Sequence, residues 1–87
     1  MIDSNTNFLL LLHALYAELP IKFRERVCEE CGWSLPTFYR NMRAINRVRK
    51  DNKVIPAISR AEKDKIREVC GELEECLQRG IKQIFAR

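Results

Sequence analysis

Apolar residues recur at helical spacing in four stretches of the chain, and the breaks between them set the expected elements. Phe8, Leu12, Leu15 and Leu19 share one side, which Leu9, Leu11 and Tyr16 widen. This spacing predicts a first helix beginning near Ser4 or Asn5 and ending before Pro20. It is apolar around most of its circumference, as a helix covered on several sides is. Phe23, Val27 and Cys31 repeat every fourth residue, with Cys28 beside them, and predict a second helix over residues 21–31. Pro20 suits its first turn, and Gly32 suits the left-handed position that ends it. A third helix is expected from an N-cap at Ser34 to about Arg49, with Pro36 in the first turn and Phe38, Met42, Ile45 and Val48 as its inner stripe. Residues 51–58 read as a connector, because Pro56 forbids an unbroken helix there. Ser59 and Glu62 form a capping-box pair that opens a fourth helix. Its apolar positions from Ile66 through Val69, Leu73 and Leu77 to Ile84 repeat close to every 3.5 residues, a coiled-coil-like seam running to about Phe85. Gly80 marks a point where that helix is open to a break. Strand-like alternation is absent.

These elements amount to one all-α domain of 87 residues: a three-helix core over residues 1–50, the connector, and a long C-terminal helix over residues 59–87. A chain this short buries only about 60–65% of its unfolded surface, so a second subunit would add core, and residues 59–87 are the expected homodimer element. The 46% apolar content excludes a disordered chain. The run from Phe8 to Ala17 falls short of the roughly 20 residues of a membrane span, and Asp3 is acidic where a signal peptide needs positive charge. A cytoplasmic location with no membrane partner is therefore expected, and Cys28, Cys31, Cys70 and Cys76 are expected to be reduced thiols that pack as small apolar residues.

Charge sharpens the functional expectation. The net charge is only +4, but the whole excess lies in the middle third. Residues 32–60 hold Arg40, Arg43, Arg47, Arg49, Lys50, Lys53 and Arg60 against Asp51 alone, whereas the segments on either side are balanced or slightly acidic. A solvated face would mix signs; a one-sign stretch favours a polyanionic partner.

The informative stretch is residues 24–43, where two predicted helices flank the turn Gly32-Trp33-Ser34. Cys28 is small where the helices cross, Gly32 supplies the turn, Trp33 plugs it, and Phe38 and Met42 come from the second helix at matching spacing. The run Gly32-x-Ser34-x-x-Thr37-Phe38-Tyr39-Arg40 resembles the helix-turn-helix domains of invertase/resolvase-type recombinases and of many bacterial repressors. The resemblance implies double-stranded DNA as partner, with the second helix lying in the major groove and its first turns at the base edges. Ser34, Leu35, Pro36, Thr37, Tyr39, Arg40, Arg43, Arg47 and Lys50 are then the DNA-binding candidates. Arg40 falls where a base-contacting residue often sits in that family, and its fork suits guanine. Ser34 and Thr37 suit phosphates. Arg43, Arg47, Arg49, Lys50 and Lys53 suit the sequence-blind, salt-dependent part of binding. Two copies about a two-fold axis would present two such helices about 34 Å apart. A transcriptional regulator or a recombination accessory factor is the expected role.

Three other readings compete. A helical protein–protein interaction module would keep the shape without the DNA, working through the fourth helix. A zinc protein would use Cys28-Glu-Glu-Cys31, but Cys70 and Cys76 do not form the second pair that such a site needs, and His13 is remote. An enzyme would need a phosphate loop or a nucleophile–base set, and neither is visible. No cofactor, metal or small-molecule substrate is expected.

Overall fold

The structure is a computed structural model that describes residues 7–86. In chain order it contains α1 (Phe8–Cys31), α2 (Leu35–Arg43), β1 (Arg47–Val48), β2 (Val54–Ile55) and α3 (Arg60–Phe85). The chain is mostly helical, as expected, but its elements are divided differently.

The first two expected helices are one. α1 runs for 24 residues with Pro20 inside it. The expected start at Ser4 or Asn5 lies outside the described residues; the described helix is capped by Asn7, whose side chain accepts from the Leu9 N–H at 2.8 Å. An interior proline removes one ladder bond and commonly costs about 3 kcal/mol. Pro20 lies on the exposed side of the helix, as does Tyr16, whose carbonyl it cannot serve. Leu12, Leu15, Leu19, Phe23 and Val27 meanwhile form an unbroken inner stripe on both sides of the proline. Gly32 ends the helix at φ 67° with its N–H on the Cys28 carbonyl, and the Trp33 N–H bonds the same carbonyl at 2.9 Å.

The third expected helix is shorter than its pattern. α2 stops at Arg43, and Ala44 is already extended at φ −70°, ψ 146°. Phe38 alone of the expected inner stripe is buried. Met42 and Ile45 are 67% and 80% exposed, so extending the helix would bury nothing. The residues beyond it, Val48, Val54 and Ile55, are β-branched and suit a ribbon. Arg47 pairs with Ile55 and Val48 with Val54 in an antiparallel hairpin. The Asn52 N–H bonds the Arg49 carbonyl at 3.0 Å and the Arg49 N–H bonds the Lys53 carbonyl at 2.8 Å. Asn52 takes the left-handed position at φ 66°, which asparagine tolerates better than most residues. Residues 51–58 are thus part of a short β-ribbon, which corrects both the featureless connector and the absence of strand.

α3 opens on the expected capping box: Ser59 accepts from the Glu62 N–H, and Glu62 accepts from the Ser59 N–H. It continues through Gly80, where the missing side chain leaves room for Leu15 of α1. A Cβ there would stand 2.9 Å from both terminal carbons of Leu15. α1 and α3 run antiparallel, with Phe8 beside Phe85 at one end and Cys31 beside Glu62 at the other. The described molecule is a rod of 63 × 22 × 19 Å. Its core sits towards one end, where Val27, Phe38 and Val69 are buried among Phe23, Cys28, Cys31, Trp33, Ile66 and Leu73. The α3 seam is therefore spent on α1 of its own chain.

Candidate nucleic-acid interface

α2 is anchored by its inner side and free on its outer one. Phe38 meets Phe23 and Trp33 at ring distances of 6.3 and 6.5 Å, and Tyr39 stands edge-on to it at 5.5 Å. Tyr39 is also tied down by its hydroxyl, which accepts from Arg24 Nη1 on α1 at 2.9 Å. Trp33 fixes the turn to α3, donating from Nε1 to Glu62 at 2.9 Å. Glu62 thus joins the capping box to the turn. Its bonds from the Ser59 N–H and then from Trp33 hold its carboxyl below the ordinary value.

At the start of α2 three candidates form one chain of hydrogen bonds. Ser34 is the N-cap, accepting from the Thr37 N–H at 3.3 Å and donating to Thr37 Oγ1 at 2.9 Å. Arg40 Nη2 donates to the same oxygen at 3.0 Å. Thr37 Oγ1 thus accepts twice, and its own proton is left to donate outward. Arg40 is held at one corner of its fork, while the side chain stays exposed. Leu35 and Pro36 are exposed in the first turn.

Arg43 and Arg47 fall on opposite walls of an open cleft between α2 and the ribbon. The cleft measures about 630 Å³ and is lined by Arg40, Asn41, Arg43 and Ala44 on one side and by Arg47, Ile55, Pro56 and Ala57 on the other, with Ile45 between. Its lining contains three guanidinium groups and no carboxylate. The ribbon is aimed by a bond across its base, in which Asn46 Oδ1 accepts from the Ala57 N–H at 2.9 Å. Side chains alternate along a strand, so Arg47, Arg49, Lys53 and Ile55 share one face, of which Arg47 and Ile55 line the cleft. Lys50 lies at the ribbon tip, away from the other candidates. Arg49 lies 3.6 Å from Asp51, with both exposed, a pair that solvent leaves weak.

Three carboxylates of α1, those of Glu18, Glu29 and Glu30, are paired with cations of that helix, while Glu25 stands exposed. Arg26 gathers Glu29 and Glu30 at 3.0 Å each and Glu72 of α3 at 2.7 Å. Those bonds raise the Arg26 pKa, and Arg26 in turn holds the Glu72 carboxyl below its ordinary value. The cluster therefore belongs to the α1–α3 flank, whereas Arg24 marks the α2 side. Cys28 and Cys31 are half-buried against the core. Burial, then the Glu62 charge, raises the Cys31 pKa and so disfavours the thiolate that would bind zinc. Among the described residues no cluster of three metal-ligating side chains occurs, and no helix is long and apolar enough to cross a membrane.

Sequence reasoning missed the ribbon and the Asn46, Arg24–Tyr39 and Trp33–Glu62 bonds. A signal for the ribbon was present: β-branched Val48 and Val54 flank an Asp51-Asn52 turn. Comparison of the chain with protein-family models, curated proteins and solved structures found no match.

Proposed function

We propose that the chain is a non-enzymatic binder of double-stranded DNA. In this reading the end of α1, the Gly32–Ser34 turn and α2 work as a helix-turn-helix, and α2 enters the major groove. The observation that carries the reading is the cleft, where α2 and the ribbon present Arg40, Arg43 and Arg47 on facing walls with no acid between them. A run of phosphates is the polyanion that fits such a cleft, since the guanidinium groups of Arg43 and Arg47 can each bond phosphate oxygens in a fork. Arg40 and Thr37 then point at base edges, with Leu35 and Pro36 beside them for a thymine methyl. The ribbon follows the backbone with Arg49, Lys50 and Lys53. With Arg40 at the bases, the five cations Arg43, Arg47, Arg49, Lys50 and Lys53 set an upper bound: if each met one phosphate, the slope of log affinity against log salt would be roughly −4.5 per copy.

The runner-up, a helical interaction module without DNA, is expected from the sequence to work through the C-terminal helix; the exposed apolar surface that supports such a module lies instead on the outer side of α1. The two readings do not compete for the same residues. A transcriptional or recombination-accessory role follows from sequence-specific binding and is tested with it. Fluorescence anisotropy on a labelled random duplex, from low to near-physiological salt, should show affinity falling steeply. Selection from a random duplex library should then enrich a half-site. Absence of binding at low salt, or binding indifferent to salt, would remove DNA as the partner.

A further inference from the structure

We propose that the outer face of the first half of α1 is the docking surface for a second copy of this chain, which joins the two rods at the end remote from α2. The proposal stands on observations separate from the DNA reading. A surface helix ordinarily turns a polar face to water. Here Leu12, Leu15 and Leu19 face α3, yet the exposed remainder of the helix presents Leu9 and Tyr16 along one flank and Leu10 and Ile21 on the far side, with Ala14, Ala17 and Pro20 among them. His13 is the sole titratable side chain on this surface other than the Tyr16 phenol, and no Lys, Arg, Asp or Glu falls on it between residues 8 and 21 apart from Glu18 at its margin.

The exposed area suits a dimer. Leu9, Leu10, Tyr16 and Ile21 are 65%, 60%, 51% and 48% exposed. At roughly 150–200 Å² per large side chain this is on the order of 400 Å² of apolar surface per copy. Two copies burying it would cover about 800 Å², and the exposed Ala14, Ala17 and Pro20 among them bring the contact to roughly the 1,000 Å² lower limit for a specific interface. Left uncovered, it would match the largest apolar patch that a typical monomer shows.

Charge selects the occupant. The chain is net positive, with its excess on α2 and the ribbon. Two copies meeting there would repel, whereas the α1 face carries almost no charge and is complementary to itself, as an isologous two-fold contact requires. A membrane surface fits less well. Interfacial helices flank their apolar side with Lys and Arg, whereas Lys22 is paired with Glu18 at 3.1 Å and the neighbouring half of α3 bears Glu74 and Glu75 beside Arg79 and Lys82.

The test is sedimentation equilibrium of the full chain and of the Leu9→Glu/Tyr16→Glu double variant over a wide concentration range. Both positions are solvent-exposed in one copy, so far-ultraviolet circular dichroism and Trp33 fluorescence should match the wild type. The expected result is a wild-type dimer whose dissociation constant rises by about a hundredfold or more when two charges enter an apolar contact. The milder Leu9→Ala variant should give a smaller rise with the fold untouched. A wild type that stays monomeric, or a dimer equally tight in all three proteins, overturns the proposal. So does a monomer that co-sediments with phosphatidylserine vesicles through this face. Random-duplex binding by the monomeric double variant would show that the DNA reading stands or falls independently.

Discussion

Replacing Glu62 tests whether the turn before α2 depends on α3. The carboxylate accepts three bonds: the Ser59 N–H at 3.1 Å and the Ser59 hydroxyl at 2.9 Å, and the Trp33 indole N–H at 2.9 Å. In Glu62→Ala the Ser59 N–H is exposed and water replaces most of its bond, leaving a loss of about 0.5 kcal/mol. The half-buried Trp33 donor loses a charged acceptor and costs about 1.5 kcal/mol more. The sum, about 2 kcal/mol, is a large share of the roughly 4–13 kcal/mol expected for a chain of this size, and it corresponds to a fall in Tm of roughly 8–16 °C. Trp33 is the one tryptophan of the chain, so urea unfolding followed by fluorescence reports the turn, and circular dichroism reports the helices. Glu62→Gln keeps an acceptor and should lose less at neutral pH. Its contrast lies in acid. The Glu62 carboxyl is held below its ordinary value near 4.5, so its charge contributes stability in full above that pH. That contribution is lost as pH falls through the lower folded value. Wild-type stability should therefore drop below about pH 4.5 more steeply than that of Glu62→Gln, which retains only the similar contribution of Glu72. A Glu62→Ala protein within 0.5 kcal/mol of wild type, or identical acid profiles for wild type and Glu62→Gln, would refute the coupling.

Two glycines in α3 should respond oppositely to alanine. At Gly71 a Cβ meets nothing within 4 Å, so Gly71→Ala should stabilise by about 1 kcal/mol. At Gly80 the same change must displace Leu15, and overpacking should leave it at least about 1 kcal/mol less stable than Gly71→Ala in urea melts. On the DNA side, Arg40→Ala should relax preference at one base pair, by about 1–3 kcal/mol of discrimination. Lys50→Ala should weaken all duplexes alike and flatten the salt slope by about 0.9; parallel binding curves on selected and random duplexes separate the two.

Local chemistry fixed much of this protein in advance. Helix ends at Gly32, Ser34 and Ser59 were legible because caps depend on a few adjacent residues and their backbone angles. The inward turn of Phe38 followed from spacing alone, as did the long α3 seam. The cationic middle segment was legible too, since charge needs no fold to be counted.

Tertiary contact decided the rest. Pro20 reads locally as a stop, yet α1 passes it because α3 offers continuous packing to the stripe on both sides of the proline. Ile45 and Val48 read as a helical stripe, yet both stand exposed among the described residues, so β-branched preference and the Asn52 turn make a ribbon instead. The cleft between Arg43 and Arg47 exists only because that helix ends early. Whether an apolar position is covered depends on what lies across from it, which is why one chain spends its α3 seam internally and leaves the outer face of α1 bare.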